Sequence, residues 1–332
     1  MISHFRKPLL KVMSAVLLVC LLLISNRARA ADRLTGLHSA QVMSQSMPWI
    51  AQEAGLFKKY DLDFRLVFIP SSPVATAATL NGDAEIGVTG AIGNVRAYVQ
   101  GFTDLVFIGG VKNILTHSIV GKPEIKRPED LKGKKVAVGR FGGNTHYFTI
   151  QALKRFGMDA SKDIQTIQTG GGPETLAALL AGNVDAAGLV APGDSAAASR
   201  GYRYVINGPE LRIPYGAAQF VTLRSVIAKR GLVMGRFMRV MAESSKILHT
   251  DKNFVYKVLG KYLRITDTKV LDAAYQSEIP ALERRLEIHD AALQASLDEI
   301  APMDPRAKTI KPQELIDRRY LVELENSGVF GK

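Results

Sequence analysis

Between residues 34 and 223, the apolar and polar positions of the chain alternate between two kinds of block. Short blocks, such as residues 63–69, are rich in β-branched and aromatic side chains, which is typical of strands. Longer blocks between them carry apolar residues at helical spacing. Strand and helix therefore alternate, which predicts an α/β fold of mostly parallel sheets flanked by helices. The predicted strands are 34–38, 63–69, 86–89, 105–111, 118–121, 135–138, 164–168, 185–188, 204–207 and 217–223.

The predicted helices begin after small or hydroxyl-bearing residues and end at glycines. Ser72 is expected to cap one helix, with Pro73 in the first turn, where its missing N–H costs nothing. After residue 225 the pattern becomes wholly helical, and Met234, Met238 and Met241 fall at core positions. This helical tail is expected to pack around the first lobe. Its predicted helices are 232–248, 254–263, 269–275 and 289–300.

One stretch of the pattern returns one hundred residues later. Ser71-Ser72-Pro73 opens a helix that ends at Gly82, and Gly171-Gly172-Pro173 opens another that ends at Gly182. The same order of caps, strands and breakers follows both openings, which predicts two similar lobes holding a ligand between them. Because hydroxyls of the first opening are glycines in the second, lobe 1 is expected to make most ligand hydrogen bonds. The predicted limits are 31–115 with 219–332 for lobe 1, and 116–218 for lobe 2.

The first 30 residues read as a targeting segment. Arg6, Lys7 and Lys11 precede an apolar run at residues 12–25, and Ala28-Arg29-Ala30 fits a small-x-small cleavage site. The run is short for a bilayer span, which needs about 20 apolar residues. We predict a cleavable secretory signal peptide, with a retained membrane anchor as the alternative.

Cysteine and charge narrow the chemistry further. Cys20 is the only cysteine among the 332 residues and lies in the apolar run, so the processed chain would have no disulfide, thiol nucleophile or cysteine metal site. Removing residues 1–30 takes away five basic residues and lowers the net charge from +12 to +7. A basic surface attracts anions or is simply well solvated. No run of five like charges occurs, so no nucleic-acid partner is predicted.

Four small-residue loops are the main candidates for a ligand site. Each follows a strand or precedes a helix N-terminus, where free N–H groups and a partial positive charge favour an anion. Ligands of open α/β sheets lie outside the carboxyl ends of the strands. The alternative is that the loops are only caps and turns. They are Ser44-Gln45-Ser46, Ser71-Ser72, Thr89-Gly90 and Gly142-Gly143-Asn144-Thr145.

A few larger side chains are further candidates. Arg140 suits a carboxylate or sulfonate because its planar guanidinium forms two parallel hydrogen bonds, and His146 is a possible donor or pH switch. Trp49 either packs its helix on the sheet or forms a cleft wall. Each of these residues has a purely structural or solvent-exposed alternative. The remaining candidates lie at strand ends, on the loop facing lobe 1, or on a crossing strand: Lys112, Asn113, Ala191, Pro192 and Gln219.

Common enzyme motifs are missing from the sequence. No HExxH zinc helix, G-x-G-x-x-G loop, Walker lysine or G-x-S-x-G elbow is found. The paired acids Glu129-Asp130 and Asp298-Glu299 are expected to be solvated on helix ends or faces. We therefore predict no catalytic residue, no metal site and no cofactor, and a protein that is not an enzyme.

Several segments together resemble the nitrate, sulfonate and taurine group of solute-binding proteins of ABC importers, the SsuA/THI5-like proteins. These are AQEAGLFKKYDLD at 51–63, NGDAEIG at 81–87, RPEDLKGKKVAV at 127–138 and ALLAGNVDA at 178–186, together with Pro192. The resemblance implies a type II periplasmic-binding-protein fold of two lobes that close on a small solute. It also implies a periplasmic location and delivery to an inner-membrane permease with its ATPase, by a protein expected to be a monomer.

The identity of the solute is left open by the sequence. The predicted loops contain few acids, so a plain anion such as an alkanesulfonate, nitrate-like ion or organic carboxylate is preferred over taurine, whose ammonium group needs an acidic acceptor. A pyrimidine precursor of thiamine is an alternative implied by the resemblance. A secreted enzyme or a module that feeds a membrane sensor is the alternative from another class.

Overall fold

The structure is a computed structural model that describes residues 31–331. The predicted signal peptide at residues 1–30 and Cys20 lie outside the described residues, and remain predictions. Within residues 31–331 the chain forms ten strands: β1 (Asp32–His38), β2 (Leu62–Phe68), β3 (Ile86–Thr89), β4 (Leu105–Leu115), β5 (Ser118–Gly121), β6 (Lys135–Val138), β7 (Gln165–Gln168), β8 (Ala186–Leu189), β9 (Arg203–Ile206) and β10 (Ile213–Leu223).

The α-helices alternate with the strands up to β10 and then follow one another. Aspartates cap three of them, because the Asp159, Asp251 and Asp267 carboxylates each accept a hydrogen bond from a first-turn N–H. The helices are α1 (Met47–Glu53), α2 (Leu56–Lys59), α3 (Ser72–Leu80), α4 (Ala91–Val99), α5 (Asn144–Arg155), α6 (Ala160–Asp163), α7 (Gly172–Leu180), α8 (Gly193–Ala198), α9 (Gly208–Leu211), α10 (Arg224–Thr250), α11 (Lys252–Leu263), α12 (Thr268–Glu278), α13 (Asp290–Ile300) and α14 (Arg319–Asn326).

The strands form two five-stranded sheets. The first has the order β2-β1-β3-β10-β4, and the second has the order β7-β6-β8-β5-β9. Parallel pairs join β1 to β3 and join β6 to both β7 and β8. Both sheets are mixed, because β10 runs antiparallel to β3 and β4, and β5 runs antiparallel to β8 and β9. The predicted two-lobed α/β fold is confirmed, with antiparallel strands added to each sheet.

The chain passes between the sheets twice. It leaves the first sheet after Leu115 and enters the second at Ser118. It returns through α9, and β10 pairs with β4 from Ile213 onward. The residue limits of the two lobes remain predictions.

The central strands and the helical tail build the core. All residues of β3, β5 and β8 are buried, as expected for strands covered on both faces. Met234, Met238 and Met241 of α10 are fully buried, which confirms their predicted packing role. Within residues 31–331, no helix is both long enough and apolar enough to span a membrane.

Candidate functional site

A cavity of about 90 Å³ lies at the carboxyl ends of strands from both sheets. A single water needs roughly 10–15 Å³ of such space, so the cavity has room for a small solute. The lining comes from the loops after β1, β2, β6 and β7 and from the crossings between the sheets. The lining residues are Ser39, Ala40, Val42, Ser44, Gln45, Ser71, Ser72, Lys112, His117, Gly139, Arg140, Gly143, Asn144, Thr145, Gly170, Gly171, Gly172, Thr175, Val190 and Ala217.

Three helices begin at this cavity. Their N-cap positions are Ser71 for α3, Gly143 for α5 and Gly171 for α7, and all three line the cavity. The first N–H groups of a helix have no partner within it, and the aligned peptide dipoles place a partial positive charge there. Three such termini converging on one cavity favour an anionic ligand.

Two serine hydroxyls of the first lobe are available to hydrogen-bond a ligand. The Ser71 and Ser72 Oγ atoms are buried and have no hydrogen-bond partner among the described residues. Neither hydroxyl caps α3, so the predicted capping role of Ser72 is wrong: Ser72 is the first helical residue and Ser71 takes the N-cap position. Ser71 is also a non-glycine residue at φ 78°, a strained conformation that clusters at ligand sites.

Arg140 supplies the cavity with a cation that no acid neutralises. Its Nε atom is buried without a partner, and no Asp or Glu of residues 31–331 forms an ion pair with it. The lining residues of the cavity include no carboxylate. Arg140 is half-buried and its Nε–H group has no partner among the described residues, so an anion that enters the cavity can accept a charge-assisted hydrogen bond from it.

Lys112, the second cation on the lining, is already paired. Its Nζ atom donates to Glu278 Oε2 at 2.7 Å and to Thr116 Oγ1 at 2.8 Å, and Thr116 donates to the other Glu278 oxygen. Both charged side chains are almost completely buried. Glu278 belongs to α12, so this ion pair ties the helical tail to β4 and the first crossing. Lys112 therefore contributes packing and a neutralised charge rather than a free cation.

His117 lines the cavity at the first crossing as a neutral group. Burial first, and then the positive charge of Lys112, lower the pKa of His117 to about 3. Its ring stacks on Phe148 at 5.7 Å, and its Nδ1 atom has no partner among the described residues. A neutral imidazole in this place offers one hydrogen bond to a ligand.

Gln45 positions the loop that follows β1. Its Oε1 atom accepts hydrogen bonds from the Ser39 and Ala40 N–H groups at 2.8 and 2.9 Å, and its amide donates to the Ser39 hydroxyl. The side chain is buried. Gln45 thus shapes the lining with bonds that are already made within the protein.

Asn144 joins the two lobes beside the cavity. Asn144 is the first residue of α5 in the second lobe. Its side-chain amide donates to Ala217 O at 2.9 Å and accepts from the Tyr215 hydroxyl at 3.0 Å. Both partners lie on β10 of the first sheet. A Cβ atom built on Gly90 would lie 2.0 Å from Asn144 Oδ1, so only glycine fits there in this arrangement. Gly90 therefore serves this contact between the lobes rather than the cavity lining.

Of the predicted site residues, nine are brought together at the cavity: Ser44, Gln45, Ser71, Ser72, Lys112, Arg140, Gly143, Asn144 and Thr145.

Two predicted amides are used inside the first lobe. Asn113 donates to Glu287 O at 2.9 Å and accepts from the His289 N–H at 3.2 Å. Gln219 donates to Lys112 O at 3.0 Å, although its Oε1 atom has no partner among the described residues. Neither residue lines the cavity, and both partners of Asn113 lie on the loop just before α13.

Two predicted ring side chains also lie away from the cavity. Trp49 is buried and stacks on Tyr262 of α11 at 5.1 Å, which matches the packing alternative. His146 accepts a hydrogen bond from the Gly142 N–H at 3.2 Å and packs edge-on against Phe141. Burial and the nearby Arg96 charge lower the pKa of His146. The imidazole is therefore neutral near neutral pH.

The remaining predicted residues surround the site at a distance from its lining. The Ser46 and Thr89 hydroxyls are buried without a partner among the described residues, but neither lines the cavity. Ala191 is buried, and Pro192 lines a second cavity beside the first one.

Several lining residues are not among those predicted from the sequence. Ser39 and Ala40 follow β1 directly, and the rule that ligands lie beyond strand ends would have included them. Gly170 and Thr175 lie in the loop and first turn around Gly171-Gly172-Pro173, so the repeated stretch could also have identified them. His117 was not identifiable, because only the crossing between the sheets places it at the cavity. Residues 31–331 contain no cluster of three or more metal-binding side chains.

Two α/β lobes with a polar cavity between the carboxyl ends of their strands define the periplasmic-binding-protein fold. The chain belongs to the NMT1/THI5-like family, whose family model matches residues 46–251. It is 34% identical over 116 residues to the taurine-binding periplasmic protein of Escherichia coli strain K12. That match covers 35% of this chain and 35% of the relative, so it spans about a third of the relative's length.

Solved structures share the fold over most of the chain. The alkanesulfonate-binding protein SsuA of Xanthomonas axonopodis pv. citri, bound to MOPS, superposes with a TM-score of 0.74 at 21% identity, covering 88% of this chain and 100% of that chain. The desulfurization enzyme DszB superposes with a TM-score of 0.67 at 13% identity, covering 89% of this chain and 99% of the enzyme. At these identities the likeness shows the fold alone.

Proposed function

We propose that this protein is the periplasmic substrate-binding component of an ABC importer and that it captures a small anion between its lobes. The observation that carries the proposal is the convergence of three helix N-termini and the unpaired Arg140 on a cavity without carboxylates. An alkanesulfonate or an organic carboxylate fits this chemistry, and a nitrate-like ion is the smallest candidate. A neutral pyrimidine would leave the Arg140 charge unpaired.

Closure follows from contacts that need both lobes. Ser71 and Ser72 approach an anion from the first lobe, whereas Arg140 and the α7 terminus approach it from the second. A ligand that touches both sets stabilises the closed form by more than the open form, and so shifts the equilibrium between them. The closed complex would then be the species that docks on a membrane permease with its ATPase, as a monomer.

Titration calorimetry with methanesulfonate, acetate and nitrate tests the anion site. Arg140→Gln removes the charge-assisted hydrogen bonds, whose loss costs roughly 1.5–3 kcal/mol, so we expect about a tenfold to hundredfold rise in Kd. Arg155→Gln is the matched control because it removes the same charge from the exposed far end of α5. Absence of binding by every anion, or equal losses in both variants, would contradict the proposal.

The fold shared with a desulfurization enzyme makes one alternative directly testable. Each anion that binds is incubated with the protein and analysed by mass spectrometry. We expect the ligand to be recovered unchanged. A product formed in proportion to protein concentration would replace the transport proposal with an enzymatic one.

A further inference from the structure

The buried ion pair between Lys112 and Glu278 joins the cavity lining to the helical tail. Lys112 lines the polar cavity, whereas Glu278 and the bridging Thr116 do not. Glu278 is the last residue of α12, and both charged side chains are almost completely buried. The tail therefore supplies an acid, from outside the lining, to a cation at the cavity wall.

The backbone of the tail holds this acid in place on β4. Leu282 forms an antiparallel bridge with Lys112, and the Glu283 N–H donates to Val111 O at 2.8 Å. The segment that begins with Glu278 is thus fixed to the strand that carries Lys112. The Glu278 carboxylate lies 2.7 Å from Lys112 Nζ because backbone contacts, and not the ion pair alone, position it.

Packing alone does not account for this pair. The desolvation of two buried charges offsets most of their attraction, and apolar residues of similar volume often stabilise a core at least as well. The place of the pair has an electrostatic consequence instead. Among the described residues that line the cavity, Lys112 and Arg140 are the only lysine and arginine, and none is an acid. Without Glu278 the lining would present two unpaired cations to a ligand rather than one.

We infer that Glu278 is a positioning residue that holds the charge of Lys112 away from the ligand and so sets the anion affinity of the cavity. Glu278 acts through Lys112 and lies outside the lining. The affinity is thereby kept below what the lining could provide. Because affinity differences within one site lie mainly in the dissociation rate, the solute is also released faster. This inference rests on the proposed anion site.

Calorimetry with methanesulfonate and sulfate on the Glu278→Gln variant tests the inference by the sign of the effect. Glutamine keeps the shape of the side chain and can still accept hydrogen bonds from Lys112 and Thr116, but it leaves the cation unpaired. We expect methanesulfonate to bind about tenfold to thirtyfold more tightly than to the parent, and sulfate, with twice the charge, about a hundredfold or more. A purely structural role of Glu278 would weaken binding of both anions.

The titrations are run at pH 5.5 for two reasons. A buried lysine without an acidic partner loses its proton more readily, and a low pH keeps Lys112 charged. Asp194 of α8 is a second buried acid whose charge interacts with the pair. Burial first, and then the charge of Glu278, raise the pKa of the Asp194 carboxyl to about 6, although a hydrogen bond from the Ser195 N–H opposes this. At pH 5.5 Asp194 is mostly protonated and does not replace Glu278.

Two variants control for stability and for charge. Thr116→Val removes the bridging hydroxyl but keeps both charges, so it should lower stability and leave the Kd of methanesulfonate unchanged. Glu323→Gln removes an acid of the tail from an exposed ion pair with Arg239, and should change Kd by less than about twofold. Glu278→Asp serves if Glu278→Gln does not fold. It keeps the charge but shortens the side chain by one methylene, and should tighten binding by about twofold to fivefold.

The outcomes separate the two claims. If the parent binds no anion, the proposed anion site itself fails. If the parent binds methanesulfonate but Glu278→Gln binds both anions equally well or more weakly, the anion site stands and the role of Glu278 is overturned. Equal tightening by Thr116→Val would overturn it too, because that variant changes no charge. Tighter binding by Glu278→Gln, with the larger gain for sulfate, supports the inference.

Discussion

The loops that open α3 and α7 occupy corresponding places in the two lobes but offer different chemistry to the cavity. Ser71-Ser72-Pro73 contributes two buried hydroxyls without partners. Gly171-Gly172-Pro173 contributes backbone only, and the nearest hydroxyl, Thr175, already bonds Gly171 O at 2.7 Å and Thr169 at 2.6 Å. The loop that opens α3 in lobe 1 therefore offers rotatable hydroxyls to a ligand, whereas the loop that opens α7 in lobe 2 offers only backbone N–H groups.

The difference also extends to charge. The unpaired Arg140 belongs to the glycine-bearing second lobe, while the first lobe's Lys112 is neutralised by Glu278. The expectation that lobe 1 makes most ligand hydrogen bonds remains a prediction, but the one cation of the lining without an acidic partner comes from lobe 2. Such a division gives each lobe something that the other lacks, so neither alone completes the site.

Removing the two hydroxyls of the first lobe should weaken ligand binding more than any other change considered below. In the double variant Ser71→Ala with Ser72→Ala, two hydrogen bonds to an anion are lost, at a cost of roughly 2–3 kcal/mol. We expect a rise in Kd of about 30- to 150-fold by calorimetry with methanesulfonate.

Thr169→Ala is the control on the other side of the cavity. The Thr169 hydroxyl donates to Val138 O at 2.8 Å and does not line the cavity, so its loss should affect stability rather than affinity. Thr89→Ala should also change affinity little, since Thr89 lies off the lining. Equal weakening by Thr169→Ala would mean that the hydroxyl asymmetry has no role in binding.

The sequence identified the positions that strand ends and helix starts determine. Ser72, Arg140 and Thr145 reach the cavity because each follows a strand of a parallel pair or opens the next helix, and local pattern is enough to locate such places. Trp49 does not reach it, since Tyr262 of the tail covers its ring. Contacts between segments more than two hundred residues apart leave no trace in local periodicity.

His117 is neutral and adds no cation to the cavity lining. A charged imidazole at this place would add a second cation without an acidic partner, beside Arg140. The pKa of His117 is about 3 in the folded protein and 6.5 in the unfolded chain. As the pH falls below 6.5, the imidazole therefore becomes protonated in the unfolded chain but not in the folded protein. Stability is therefore lost on acidification, by about 2 kcal/mol at pH 5 from this group alone. Denaturant unfolding should show that His117→Gln loses less stability than the unaltered protein between pH 7.5 and pH 5.

Asp194 has the opposite effect on stability as the pH falls. The pH profile of the unaltered protein must therefore be compared with that of His117→Gln. Burial raises the pKa of its carboxyl to about 6, so the folded state holds this proton more tightly and gains stability as the pH falls from 6 toward 4. The unaltered protein thus shows only the difference of the two effects. If His117→Gln and the unaltered protein had parallel pH profiles, the neutral-imidazole account would be wrong.

The strain at Ser71 is a smaller difference between the lobes. Ser71 lies at φ 78°, whereas in the loop that opens α7 the residue with positive φ, 117°, is Gly170. Ser71→Gly relieves roughly 1–3 kcal/mol of backbone strain and adds about 0.5–1 kcal/mol of unfolded-chain entropy, for a net gain of about 1 kcal/mol. The variant should unfold at higher denaturant and bind methanesulfonate more weakly. Lower stability would show that Ser71 is not strained.

The smallest effect is expected when the second lobe is given the hydroxyl that it lacks. Gly172 lines the cavity, its φ is not positive, and a Cβ atom there would meet nothing within 4 Å. Gly172→Ser should therefore fold with a stability within about 0.5 kcal/mol of the parent. One extra hydrogen bond to the anion should lower Kd by about twofold to tenfold.

Gly171→Ser is the contrasting change, because its Cβ would lie 2.7 Å from Glu174 Oε2 and force that side chain to move. If Gly172→Ser folds well but binds more weakly, the second lobe needs close backbone approach at this point, and the glycines are there for space rather than for want of a hydroxyl.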